Sequence, residues 1–127
     1  MRPTRGQVVV TEPLGEEYFA CPHYSRHGYD YWQQTPDLRL VLGGFRDTAP
    51  EEESTAKEAT TPGIQARLES FARELVGRAP RITHRWSGIF GVTEDLLAVG
   101  GPGARLRGPL GRVWLLRPRQ RARPRVR

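Results

Sequence analysis

Apolar positions recur along this chain with two different periods. Gln7-Val8-Val9-Val10-Thr11 is a short β-branched run closed by Pro13 and Gly15, which predicts a strand. The runs YDYWQQ and RLVLGG, from Tyr29 to Gly44, flank Thr35-Pro36-Asp37-Leu38 and predict a hairpin. Pro36 presets φ for the turn and Asp37 can bond its own backbone. Leu38 stands where such a turn often needs positive φ, a conformation that costs a Leu roughly 1 to 2 kcal/mol. Between Thr61 and Gly77 the period changes. Ile64, Leu68, Phe71, Leu75 and Val76 form a stripe at helical spacing, with Thr61 as the expected N-cap, Pro62 at the first helical position and Gly77 past the end. No catalytic residue type recurs on that stripe, so the helix is read as packing.

The stretch RITHRWSGIFGVTEDLLAVGG, Arg81 to Gly101, organises the rest. Ile82, His84 and Trp86 alternate, and Ile89, Phe90 and Val92 follow after Ser87-Gly88, which predicts a strand with a bend or bulge at that dipeptide. Gly88 and Gly91 bracket Ile89-Phe90, so another body can approach the backbone closely there. A turn then leads into a second apolar run. Together these elements predict an α+β fold, an antiparallel sheet of about five strands carrying one good helix.

The intervening segments add less. Arg46 to Thr61 is acidic and small, and Pro50 with Glu51, Glu52 and Glu53 suggests a short helical turn whose charges face solvent. Tyr18, Phe19, Tyr24, Tyr29 and Tyr31 could line an amine pocket by cation–π contact, but packing across strands is the simpler use of such density. Cys21 is the sole cysteine, so no internal disulfide forms, and with His23 and His27 it supplies too few ligands for a metal site. No metal and no catalytic residue is assigned. At 127 residues the chain can bury one modest core. No apolar run reaches the roughly 18 residues of a membrane span, and MRPTRGQ lacks a signal-like apolar region, so a cytoplasmic protein without a membrane partner is expected.

Charge changes the picture at the end. The net charge of +6 conceals a split: all 14 acidic residues lie within the first hundred positions, which are net −3, and residues 101–127 hold nine arginines and no acid.

The segment HRWSGIFGVTEDLLAVGG resembles the late part of FAD-dependent amine and amino-acid oxidoreductases of the D-amino-acid oxidase superfamily, which includes glycine, sarcosine and gamma-glutamylputrescine oxidases. Its Trp86-Ser87-Gly88-Ile89 matches that family's W-[SA]-G-[IL] element. The resemblance extends through RGQVVVTEPL, YDYWQQTPDLRLVLGGFRD and the helix near Gln65 to Arg78, covering about residues 5 to 101. It implies that residues 1–101 are part of the substrate domain and junction strand, truncated relative to the two-domain flavin oxidase fold. It also implies a flavin- or substrate-facing wall at Trp86, Gly88, Ile89 and Phe90. No Gly-rich turn between strand and helix is present to hold the FAD pyrophosphate. The chain alone is therefore expected to be inactive and without FAD, and a separate FAD-domain chain is the partner implied beside a small amine substrate. Some family members place a carboxylate-binding Arg directly after W-[SA]-G-[IL]; here that position is Phe90, which favours an amine or a longer substrate. Arg85 is read as surface or domain packing, and His84, on the Trp86 side, as structural.

Residues 102–127, rich in Arg, Pro and Gly, are expected to be an irregular, disordered tail. The resembled family continues here with a strand of type L-W-V-A and then a flavin-contacting G-Y-S-G-H-G-N motif. A frame slip near Gly100 to Pro102 would let the codons of Pro109 to Arg121 encode that motif in the shifted frame. The second reading of this tail is a nucleic-acid or acidic-surface binding arm.

Overall fold

The computed structural model describes residues 2–93; the second apolar run and the arginine-rich tail lie outside them. Five strands form one antiparallel sheet: β1 (Arg2–Pro13), β2 (His23–Ser25), β3 (Asp30–Gln34), β4 (Arg39–Gly43) and β5 (Ile82–Val92), in the order β2-β3-β4-β1-β5. A short helix α1 (Pro50–Glu53) and a longer α2 (Pro62–Val76) complete the described fold. The α+β expectation holds, one antiparallel sheet carrying one good helix. The strand read at Gln7 to Thr11 begins earlier, at Arg2, because residues 2–7 pair along β5 in an unbroken register from Arg2–Val92 to Gln7–Ser87.

The hairpin of β3 and β4 forms as its turn chemistry dictates. Leu38 N–H donates to the Thr35 carbonyl at 2.8 Å, Thr35 N–H donates to the Arg39 carbonyl at 2.9 Å, and Leu38 adopts φ +63°. After β4 the chain must pass close to Asp30. Gly44, at φ +145°, permits this, since a Cβ there would sit 2.6 Å from the Tyr29 carbonyl oxygen.

Helix α2 covers one face of the sheet. Val9, Leu40 and Leu42 point up to Ile64, Leu68, Ala72 and Val76, all buried, with Leu14 closing the cluster. Leu68 is fully buried, so truncating it to Ala costs about 2 to 5 kcal/mol. Gly77 ends the helix at φ +76°, its N–H bonded to the Arg73 carbonyl. Thr61 has the extended backbone of an N-cap, but its side chain makes no capping bond; its hydroxyl accepts instead from Gln7 Nε2 at 2.9 Å.

Two further expectations are corrected. The acidic run is not wholly solvated, because Glu53 is buried against Arg5 and Gln7. Nor does β5 bulge at Ser87-Gly88, which pair in regular register with Gln7 and Gly6. The irregularity falls at Thr83, which has no residue opposite it between the Val10–His84 and Thr11–Ile82 pairs. Its hydroxyl donates to the Val10 and Thr11 carbonyls at 3.2 Å, satisfying the backbone that the extra residue disturbs. That insertion turns Ile82 toward the core and leaves His84 and Trp86 on the opposite face.

Candidate functional site

The two faces of the sheet are unequal. The side chains of Arg5, Gln7 and Val9 on β1 meet α1 and α2, and Arg85 on β5 reaches Gln65 at 3.0 Å and Glu69 at 2.7 Å on α2. Strand alternation then sets Thr4, Gly6, Val8 and Val10 on the other face, beside their partners Phe90, Gly88, Trp86 and His84. No helix among the described residues covers that second face. Trp86 is 45% exposed, Phe90 38% and Tyr24 69%, well beyond the usual burial of large rings.

Of the wall anticipated from sequence, Trp86, Gly88 and Phe90 share this open face. Ile89, paired with Arg5, lies on the helix side and does not join them. Gly88 sits directly across from Gly6. A Cβ on Gly88 would meet nothing within 4 Å, and one on Gly6 would touch only the Phe90 ring at 3.3 Å. Gly88 is therefore open between Trp86 and Phe90 on β5, while the Phe90 ring lies over Gly6. Arg85 is held by Glu69 on the helix side, as read from strand periodicity. His84 is exposed, its Nδ1 2.9 Å from the Thr83 hydroxyl.

The aromatic segment divides between the faces. Phe19, His23 and Trp32 pack with Phe71 on the helix side, the His23 and Trp32 rings stacked at 5.2 Å. Tyr24 and Tyr31 pair on the open face, ring centroids 6.1 Å apart. Tyr31 folds over Gly43, where a Cβ would come within 2.7 Å of its ring. Burial pushes the Tyr31 phenol up, while the positive charge of Arg46 acts in the opposite sense.

Arg46 went unnoticed in the sequence. It opens a 3₁₀ turn, Arg46–Thr48, after β4, and its guanidinium lies 4.7 Å from the Tyr29 ring centroid and 5.3 Å from that of Phe90. Both carboxylates of this corner are held by a different arginine. Arg26 pairs with Asp30 and, at 2.7 Å, with Asp47, which raises the Arg26 pKa. Among the described residues the Arg46 side chain has no hydrogen bond and no ion pair. Cys21 Sγ lies 3.9 Å from His23 Nε2, and among the described residues no three potential metal ligands converge. None of the helices described is long and apolar enough to cross a membrane.

A family model for FAD dependent oxidoreductases of the DAO type matches residues 1–117, past Gly101 where the quoted resemblance ends. The chain belongs to the DAO family of FAD-dependent oxidoreductases. The L-proline dehydrogenase from P. horikoshii is a structural relative of this family member, with a TM-score of 0.60 over 80% of the chain at 17% identity. The chain spans 27% of the length of that dehydrogenase. No curated protein matches this chain.

Proposed function

We propose that the open face of the sheet is the wall of a substrate chamber in which an amine or amino acid is oxidised, with the FAD carried by a body other than residues 2–93. The observation that supports this reading most is the asymmetry of the sheet. A surface that exposes Trp86 and Phe90 on either side of Gly88 fits the approach of a flat ring, because no side chain rises at Gly88 itself. Among the described residues the sheet is wholly antiparallel, so the parallel strand–helix–strand unit that holds a dinucleotide pyrophosphate is not among them.

In this family FAD supplies the redox chemistry, accepting hydride from the carbon that bears the nitrogen. The residues of this chain shape the chamber. Trp86 and Phe90 bound it and exclude water, Gly88 lets the ring come near the backbone, and Tyr31 offers a neutral hydroxyl. The chain alone is expected to be colourless and without amine-dependent activity. The arginine-rich arm lies outside the described residues, and the family match lends the nucleic-acid reading no support.

Co-expression with a flavin-binding reading frame from the same gene neighbourhood tests the reading. A yellow complex that bleaches on addition of amine or amino acid, and whose bleaching slows in Gly88→Val, supports it. A chain that binds FAD tightly by itself, or a complex indifferent to Gly88→Val, contradicts it.

A further inference from the structure

We infer that the groove between α2 and the turn joining β2 to β3, on the helix side of the sheet, is a binding site for a zwitterion whose two charges stand several bonds apart. It lies on the face away from Trp86 and Phe90 and does not rest on the proposed function. The groove is a cavity of about 420 Å³, open to solvent, within the range of about 300 to 1,000 Å³ that small molecules occupy. Phe45 and Phe71 form its apolar wall, their rings edge to face with centroids 5.5 Å apart. Arg67, Ser70 and Glu74 line it from α2, and Ser25 from the end of β2.

The charges of this groove are sorted by wall. On the sheet side Arg26 and Asp30 are committed to each other, Nη2 donating to Oδ1 at 2.7 Å, and Arg26 also holds Asp47. On the α2 side, among the described residues, neither Arg67 nor Glu74 has an ion pair or a side-chain hydrogen bond, and the hydroxyls of Ser25 and Ser70 have no partner either. Arg67 and Glu74 are too far apart to pair. Seven residues set them two turns apart, about 10.5 Å along the axis at about 1.5 Å per residue. Side chains on a helix lean the same way, toward its N-terminus, so this offset persists at their heads. Spacings of three, four and seven put Ser70, Phe71 and Glu74 on the side of α2 that carries Arg67, with Phe71 between the two charges. The groove therefore offers a guanidinium at one end, a carboxylate at the other and an aromatic surface between them. An anion would engage Arg67 alone, and a cation Glu74 alone. A chain of methylenes with a carboxylate at one end and an ammonium at the other meets all three, whereas an α-amino acid, with both charges on one carbon, reaches only one end.

The test titrates the 127-residue chain with 6-aminohexanoate, hexanoate, hexylamine and norleucine, following the Trp32 and Trp86 indole resonances by NMR. The Trp32 ring lies 5.3 Å from that of Phe71, whereas Trp86 is on the opposite face. The expected result is a saturable shift of Trp32 by 6-aminohexanoate with Trp86 unmoved, and an affinity about tenfold or more above that of each other ligand. Arg67→Gln and Glu74→Gln should each weaken 6-aminohexanoate about tenfold or more, and Arg73→Gln, which does not line the groove, should not. Exchanging the charges, Arg67→Glu with Glu74→Arg, should restore the binding that either change alone abolishes, since the zwitterion can lie in reverse. Hexanoate, hexylamine or norleucine binding as tightly as 6-aminohexanoate overturns the assignment, as does unchanged affinity in both Gln variants or a shift of Trp86 in place of Trp32. If a variant fails to fold by circular dichroism, the order of the four ligands on the wild-type chain decides alone. No flavin enters the titration, so this site and the chamber reading stand or fall separately.

Discussion

Arg5 and Glu53 meet inside the protein, Nη2 to Oε1 at 2.6 Å, with side chains only 4% and 1% exposed. The pair ties the first strand to the acidic helical turn and sets the loop that follows. Arg5 Nη1 and Nη2 also donate to the Lys57 and Glu52 carbonyls, and Gln7 Nε2 donates to Glu53 Oε1 and Thr61 Oγ1. The Glu53 hydrogen bond raises the Arg5 pKa, so the guanidinium stays charged. Such a network matters most when half of it is removed. Glu53→Ala strands a buried cation and should destabilise the fold by about 3 to 5 kcal/mol, read from urea unfolding. A loss below about 1 kcal/mol, the range of an exposed pair, would mean that the two charges are solvated.

Leu38 offers the opposite sign. Its φ of +63° is one that a Cβ resists and glycine accepts. Leu38→Gly should raise stability by about 1 kcal/mol, because relief of the left-handed strain exceeds the entropy that glycine brings. Thermal unfolding of the two proteins side by side measures it, and a lower midpoint for the glycine variant would contradict the strain.

Gly43 and Gly88 separate packing from openness. Gly43→Ala drives a methyl into the Tyr31 ring and should cost about 1 to 3 kcal/mol. Gly88→Ala meets nothing and should change stability by no more than about 0.5 kcal/mol. Equal costs would show that Gly88 is not open.

Tyr31 sets an alkaline limit. Burial raises its pKa above that of a free phenol, so the unfolded chain loses this proton first as pH rises. Its contribution is complete below about pH 10, the pKa of an unfolded phenol, and is lost as pH climbs through the higher folded value. Denaturation midpoints measured across that range should fall, and Tyr31→Phe should reduce the fall. Tyr18, raised chiefly through its hydrogen bond to Glu16, contributes with the same sign and remains in the variant.

What was legible in the sequence was local. The hairpin announces itself in Thr35-Pro36-Asp37, and α2 in its spacing and in Pro62 and Gly77, because each is dictated by residues that are neighbours in the chain. Glu53 looked like a solvated charge because its partner, Arg5, lies 48 residues away. The bulge was misplaced for a similar reason. Ser87-Gly88 interrupts the apolar pattern without interrupting the ladder, and the actual irregularity at Thr83 depends on hydroxyl bonds to the Val10 and Thr11 carbonyls. The resemblance groups Ile89 with Trp86 and Phe90 as one run of the motif, whereas alternation sends it to the helix side. Arg46 could not be singled out at all, since its lack of a carboxylate follows from where Arg26 places its own side chain.

The central claim is that the open face receives the flavin-bearing body. Hydroxyl-radical footprinting of the chain, alone and in complex with the proposed FAD-binding body supplied as a separate chain, tests this most directly. The expected result is protection of Trp86, Phe90 and Tyr24 in the complex, with Glu74 and Leu75 on α2 reacting as before. Protection of the α2 surface while Trp86 and Phe90 keep their full reactivity would contradict it.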